Sequence, residues 1–183
     1  MRTVIVTVAV TVAACSGNVP SRVMPDNMRW TTLNLNIDIP GSYCYDDSEA
    51  NCRQFGRLYT WEAAARGCQA LGRGWRLPTD DEWRQMAGHY GGVSSDSKDK
   101  GRSAYKTLLD GGGSEFNAVL GGNREPNNAT YARLDAHGFY WTATEGAAGT
   151  APFYNFGKGG QMLHRQSEGE KSLAISVRCV SNP

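Results

Sequence analysis

TWEAAARGCQAL, residues 60–71, and AISVRCV, residues 174–180, are the two stretches whose pairing decides how this chain folds. In the first, Trp61, Ala64, Ala65, Cys68 and Leu71 recur at the spacing of one helical face. Thr60 stands where a helix cap is wanted, and Gly72 and Gly74 follow where a helix stops. In the second, Ile175, Val177 and Cys179 alternate onto one side of a strand. An early helix and the last strand therefore each turn a cysteine inward. A bridge between Cys68 and Cys179 would fasten nearly the whole chain, with a theoretical value of about 4 to 5 kcal/mol.

Two further cysteines, Cys44 and Cys52, bracket the polar, acidic segment 45–51. Four cysteines allow three connectivities. Cys44 to Cys52 with Cys68 to Cys179 is the preferred set, the short loop adding about 2 to 3 kcal/mol by chain entropy. No Cys-x-x-Cys and no paired Cys and His spacing points to a metal, and His89, His137 and His164 stand far apart in the sequence.

The fifth cysteine, Cys15, follows a basic Arg2 and an apolar run from Thr3 to Ala14. A run this short is an export signal and falls below the roughly 20 residues a spanning helix needs. Val12-Ala13-Ala14-Cys15-Ser16 resembles the lipobox of bacterial lipoproteins, in which the cysteine becomes the acylated N-terminus. The expected organisation is a signal peptide over 1–15, a tether over 16–27 and one folded domain over 28–183. The protein would then sit in the bacterial cell envelope, lipid-anchored and extracytoplasmic, in a compartment that permits disulfides.

Within the domain, Trp30 to Ile37 alternates, with Leu33, Leu35 and Ile37 on one face of an expected strand. Thr79-Asp80-Asp81-Glu82 is a capping box opening a second helix, whose apolar face is Trp83, Met86, Ala87 and Tyr90. The Gly-rich, polar stretch from Gly91 to Glu115 reads as a surface excursion with a short helix near 104–109. Runs at 139–144, 153–156, 161–164 and 174–180, separated by Gly-rich turns, read as antiparallel strands. The net charge of +1, with Lys and Arg dispersed, lacks the electrostatic footprint of a nucleic-acid binder.

Several blocks, in order from about residue 28 to the end, are similar to the Fibrobacter succinogenes major paralogous domain. They are Leu33-Asn34-Leu35, Gly41-Ser42-Tyr43-Cys44-Tyr45, Phe55-Gly56-Arg57-Leu58-Tyr59-Thr60-Trp61, Gly74-Trp75-Arg76-Leu77-Pro78-Thr79, Glu82-Trp83, Phe116-Asn117-Ala118, Tyr140-Trp141 and Ser176-Val177-Arg178-Cys179-Val180. The resemblance implies an α+β, C-type lectin-like fold of the formylglycine-generating-enzyme type: two helices packed on twisted antiparallel sheets with long irregular loops. The Cys68 to Cys179 pairing resembles the helix-to-last-strand bridge of such domains. Fold alone does not fix function.

The oxidases of this fold use a C-terminal cysteine pair for copper or a His-x-x-x-His-x-Glu iron motif, and this sequence contains neither. It also lacks a Gly-x-Ser-x-Gly elbow and a Gly-x-x-x-x-Gly-Lys loop. Asp80, Asp81 and Glu82 read as helix-start charges held by the helix dipole. Glu125-Pro126-Asn127-Asn128 resembles the calcium-and-sugar segment of lectins. Its usual partner, Trp-Asn-Asp, reads Trp141-Thr142-Ala143 here, so no cofactor is expected, with calcium at this segment as the alternative.

What remains is a recognition surface in the C-terminal third, where aromatic and polar side chains mix. The expected ligand-binding residues are Arg124, Asn127, Asn128, Tyr140, Glu145, Phe153, Asn155, His164, Arg165 and Gln166. The functional expectation is a non-catalytic binding protein with a protein or glycan ligand, held on a membrane by its lipid and without nucleic-acid partners. The alternatives are a variable protein of a diversity-generating retroelement, a divergent formylglycine-type oxidase and a structural envelope component.

Overall fold

The computed structural model describes residues 19–183; the expected signal peptide and Cys15 lie outside the described residues. The elements in chain order begin with β1 (Ser21–Val23), β2 (Arg29–Thr31), β3 (Ser42–Tyr43), α1 (Glu49–Phe55), β4 (Leu58–Tyr59), α2 (Trp61–Ala70), α3 (Asp80–Gly88) and α4 (Arg102–Leu108). They continue with β5 (Gly121–Arg124), β6 (Tyr131–Leu134), β7 (His137–Trp141), β8 (Thr150–Gly157), β9 (Met162–Glu170) and β10 (Val180–Ser181). The architecture is mixed α+β. Among the described residues the strands form a three-stranded sheet ordered β1-β2-β10, the pair β3-β4, and a five-stranded sheet ordered β6-β5-β7-β8-β9.

Both helical expectations hold, with one rotation. Helix α2 buries Ala63, Ala64, Gly67 and Cys68, a stripe turned slightly from the expected one, so that Ala65 and Trp61 sit at its margin. Helix α3 opens on the capping box: Thr79 Oγ1 accepts from Glu82 N at 3.2 Å, and Glu82 Oε2 accepts from Thr79 N at 2.8 Å. Each bond satisfies a donor that the first helical turn otherwise leaves unpaired. The helix then buries Trp83, whose indole stacks on Tyr154 at 4.9 Å and meets Trp30 and Phe116 edge-on.

The large sheet separates two cores. Along β7, Tyr140 enters the cluster of Trp30, Trp83, Phe116 and Phe156, while the next residue, Trp141, enters the cluster of Tyr59, Ala64, Leu77 and Val177. Alternation sends neighbours to opposite faces, so a strand buried on both sides is apolar without interruption. This is why 139–141 reads as one hydrophobic run.

The cysteines pair as preferred, Cys44 with Cys52 and Cys68 with Cys179. Cys179 lies beside β10, which pairs with β2 through Val180 and Trp30 and brings the ends of the domain together.

Several expectations are corrected. Residues 21–26, read as tether, belong to the fold: β1 pairs with β2, and Met24 and Asp26 are buried, the latter accepting from Trp30 Nε1 at 2.8 Å. The strand expected over Trp30–Ile37 ends at Thr31, Leu33 is 59% exposed and Asn34 is buried in its stead. The 91–115 excursion is no mere surface loop, since Val93, Ala104, Tyr105 and Leu108 enter the main core. The expected strand over 174–180 is regular only at Val180–Ser181 and otherwise makes single bridges, Ile175 to Tyr59, Ala174 to Arg124 and Ser176 to Tyr140.

Candidate functional site

Strand β8 turns Tyr154 and Phe156 into the main core and therefore Phe153 and Asn155 to the opposite face of the sheet. There Phe153 is flanked by Phe139 on β7, edge-on at 5.8 Å, and by Gln166 across from it on β9. The β8–β9 register slips between Ala151 and Phe153, a bulge that re-aims the side chains beside it. Gly169 completes the seat. A Cβ there would fall 2.6 Å from Phe153 Cδ1 and 3.0 Å from the Trp141 ring, so only a glycine lets the phenyl ring lie against β9.

The result is a groove of about 330 Å³ over the sheet, continued by a second hollow of about 250 Å³ that shares Glu125, Phe153 and Leu173 with it. One wall is polar and ordered. Glu125 Oε1 accepts from Arg133 Nη1 at 2.7 Å and from Asn123 Nδ2 at 2.9 Å, and the same Arg133 nitrogen donates to Asn123 Oδ1 at 2.9 Å. These donors hold the Glu125 carboxyl below its ordinary range, Arg133 most strongly. On the floor, His137 Nδ1 meets Asn155 Oδ1 at 2.9 Å, and the His137 ring lies flat on Phe139 with centroids 5.3 Å apart.

The second hollow is bordered by Pro126, Asn127, Glu168 and Glu170. Among the described residues neither Glu168 nor Glu170 forms an ion pair. The described residues lining the two hollows carry no hydroxyl or thiol side chain, so the site offers shape, aromatic faces, amides and charge.

Of the expected ligand residues, Asn127, Phe153, Asn155 and Gln166 come together here. Arg124 lies next to the groove, its guanidinium 4.0 Å over the Tyr43 ring and 5.9 Å from that of Tyr131. Tyr131 in turn donates to Asp47 Oδ1 at 2.5 Å; burial and that carboxylate push its phenol up to about 12. Asn128 turns inward on its own loop, accepting from Thr130 N and Oγ1.

The others are elsewhere. Tyr140 is fully buried and exchanges hydrogen bonds with the Val119 main chain, so it is core. Glu145 pairs with Lys171 Nζ at 3.4 Å, and His164 Nδ1 is held by Ser94 Oγ at 2.7 Å. Arg165 binds Asp80 through Nε, at 2.8 and 2.9 Å to the two carboxylate oxygens, and Tyr154 donates to the same carboxylate. Asp80 is therefore more than a helix-start charge. It is the buried counter-ion that ties α3 to β9.

The Glu125 segment is engaged within the chain. Its carboxylate already has a guanidinium counter-charge in Arg133, Asn128 serves its own loop, and Thr142 is buried with its hydroxyl donating to Pro152 O. A Cys44, Glu49 and Cys52 cluster has ligand-like spacing, but the two sulfurs are bonded to each other.

Sequence reasoning missed Asn123 and Arg133 of the polar wall, His137 and Phe139 of the floor, and Glu168, Glu170 and Leu173 at the margins. Strand β5 begins Gly121-Gly122-Asn123, which carries no strand signal, whereas Tyr131-Ala132-Arg133-Leu134 is a short alternation that could have marked β6.

The family model for the Fibrobacter succinogenes major domain matches residues 18–181, which include every strand and helix named above and both hollows. No curated protein and no solved structure matches the chain.

Proposed function

The chain belongs to the Fibrobacter succinogenes major domain family, and from that premise we propose that it is a non-catalytic binding protein that takes a protein or glycan ligand in the groove over β7, β8 and β9. The observation that carries this is the half-exposed Phe153 ring, seated by Gly169 and flanked by Phe139, Asn155 and Gln166. Aromatic faces beside adaptable amides are the composition of recognition surfaces.

The fold is C-type lectin-like in this reading, supported by the Cys68–Cys179 bridge from α2 to the terminal segment and by the meeting of the two ends at β2 and β10. The lipobox-like Val12–Ser16 supports acylation at Cys15, with the domain on the extracytoplasmic side of a bacterial membrane. Neither metal nor organic cofactor is required for such binding.

A glycan and surface-protein array probed with the full chain tests this. The expected result is a ligand whose capture is lost in a folded Phe153→Ala variant. A ligand held equally well by that variant overturns the groove as its site. Cys15→Ala should move the protein from the detergent phase to the aqueous phase on partition; a variant that stays in the detergent phase overturns the anchor.

A further inference from the structure

We infer that Tyr131 is a positioning residue of the groove: anchored on Tyr45 and Asp47 at the edge of the sheet, it turns the Arg133 guanidinium into the groove wall. Tyr131 lines neither hollow, so it acts through Arg133. Only the last step, an effect on ligand capture, rests on the groove being the ligand site.

The wall stands on a hairpin with two faces. On β5, Asn123 and Glu125 face the groove, and Arg124 between them turns the other way, its guanidinium over Tyr43. Tyr131 lies directly across from Arg124 on β6 and shares its side. Regular alternation would put Arg133 on that side too, with Leu134 opposite. The reverse is found: Arg133 is in the groove on Glu125 and Asn123, while Leu134 packs with Tyr131 against Tyr45, Leu58 and Ala174. The cause is in the backbone, because Arg133 is left-handed with φ 65° and the regular pleat ends there. A side chain of this size keeps such a conformation only where its surroundings over-determine it.

Tyr131 is what holds the strand on the N-terminal side of that break. Among the described residues β6 is an edge strand with β5 as its one strand neighbour, so side-chain contacts must fix it. The Tyr131 ring meets the Tyr45 ring at 5.2 Å, and its hydroxyl donates to Asp47 Oδ1 at 2.5 Å. Both partners are themselves held. Tyr45 and Asp47 lie inside the loop closed by Cys44–Cys52, and Asn51 Nδ2 donates to Tyr45 O at 2.9 Å. The Tyr45 ring lies so close over β5 that a Cβ at Gly122 would fall 2.9 Å from its Cε2. A stiff abutment on one face of the hairpin thus orients a side chain on the other. Without it β6 relaxes toward the regular strand, which carries Arg133 away from Glu125.

The test is a graded series in the isotope-labelled full chain: Tyr131→Phe loses the hydrogen bond and keeps the ring, and Tyr131→Ala loses both. Asp47→Asn is the conservative control, since an amide oxygen still accepts from the phenol and asparagine tolerates the left-handed backbone of residue 47, φ 52°. Two NMR signals report on the wall with no ligand present. They are the Arg133 Nε–H resonance and the carboxyl titration of Glu125, which Arg133 holds below the ordinary 4.5. Expected is an Arg133 signal that broadens and a Glu125 titration that climbs toward 4.5, a little in Tyr131→Phe and more in Tyr131→Ala. Asp47→Asn should match the wild type, and the Arg178 signal should stay put throughout. A general loss of stability would not move one carboxyl and spare the buried arginine. Capture of an array ligand that depends on Phe153 should fall about threefold in Tyr131→Ala, the loss of about one weak hydrogen bond. Wall signals unmoved in Tyr131→Ala overturn the inference, and wall signals that move with capture undiminished overturn its link to the ligand. If no array ligand depends on Phe153 the groove reading falls, while the ligand-free signals still decide whether Tyr131 sets Arg133.

Discussion

Arg178 donates from Nε to Oδ1 of Asn34 at 2.8 Å in the middle of the protein, and both side chains are buried. The rest of the guanidinium faces carbonyls: Nη1 donates to Thr31 O and Phe116 O, Nη2 to Asn117 O, and its plane lies 4.5 Å over the Phe116 ring. Burial lowers the Arg178 pKa, but a guanidinium stays protonated, so a full charge is held by dipoles and an aromatic face. Lysine has the charge without the planar fork. Arg178→Lys should therefore leave several of these acceptors unsatisfied and destabilise the fold by about 3 kcal/mol or more. Urea unfolding should show a lower midpoint with an unchanged slope; an unchanged midpoint refutes the role given to the fork.

The same pair explains where the sequence was legible and where it was not. Local signals held: the Trp61–Ala70 helix, the Thr79 capping box and the β7, β8 and β9 runs each follow from neighbours in the chain. The alternation over Trp30–Ile37 promised Leu33 inside and Asn34 outside, but Asn34 serves an arginine 144 residues away and Leu33 is turned out instead. Arg165 looked like a ligand residue because nothing local claims it, and its partner Asp80 lies 85 residues earlier. The polar wall escaped for the same reason: Asn123, Glu125 and Arg133 become a unit only once the β5–β6 hairpin exists. Non-local polar pairing leaves no periodicity to read.

The two disulfides should differ in worth. Cys68–Cys179 closes a separation of 111 residues and Cys44–Cys52 one of 8. Chain entropy assigns about 5 kcal/mol to the first and about 2.5 kcal/mol to the second. Paired Cys→Ala variants, compared by denaturant unfolding, should rank in that order. Equal losses would mean that entropy of the unfolded chain is not what these bridges control.

Arg165→Ala should lower stability and spare ligand capture. Its guanidinium binds Asp80, which is 8% exposed and also accepts from Tyr154, so removing the cation strands a nearly buried carboxylate. The expected cost is about 1 to 3 kcal/mol. Thermal unfolding reads the loss, and the array reads the binding. A stable variant that no longer captures its ligand would return Arg165 to the recognition surface.

Acid should weaken the start of α3. Burial acts to raise the Glu82 pKa, but hydrogen bonds from Arg76 and from Thr79 outweigh it and set the value below the ordinary 4.5. A carboxyl lowered on folding contributes stability that is complete above its unfolded pKa and is lost as pH falls through its folded one. Glu82→Gln keeps the reciprocal capping geometry and removes only the charge. The variant should be less stable than wild type at neutral pH by under about 1 kcal/mol, because Arg76 is half-exposed and screened. The difference should vanish below the folded pKa of Glu82. A gap that persists at the lowest pH assigns it to shape.

Gly169→Ala should separate binding from folding. The added methyl would lie 2.6 Å from Phe153 Cδ1 and 2.9 Å from Cε1, contacts that real Cβ atoms do not make. The main obstacle is the Phe153 side chain at the groove; the buried Trp141 ring, at 3.0 Å, must also give by a few tenths of an ångström, and the backbone at Gly169 is not left-handed, so the phenyl ring can rotate away at a cost of about 1 to 3 kcal/mol. Rotation removes the aromatic face from the hollow it shares with Glu168 and Glu170. Capture of any array ligand that depends on Phe153 should fall by about tenfold, the equivalent of about 1.4 kcal/mol in binding, while the far-ultraviolet spectrum and the unfolding transition remain those of a folded domain. Undiminished capture would mean that the orientation of Phe153, fixed by this glycine, is not what the ligand recognises.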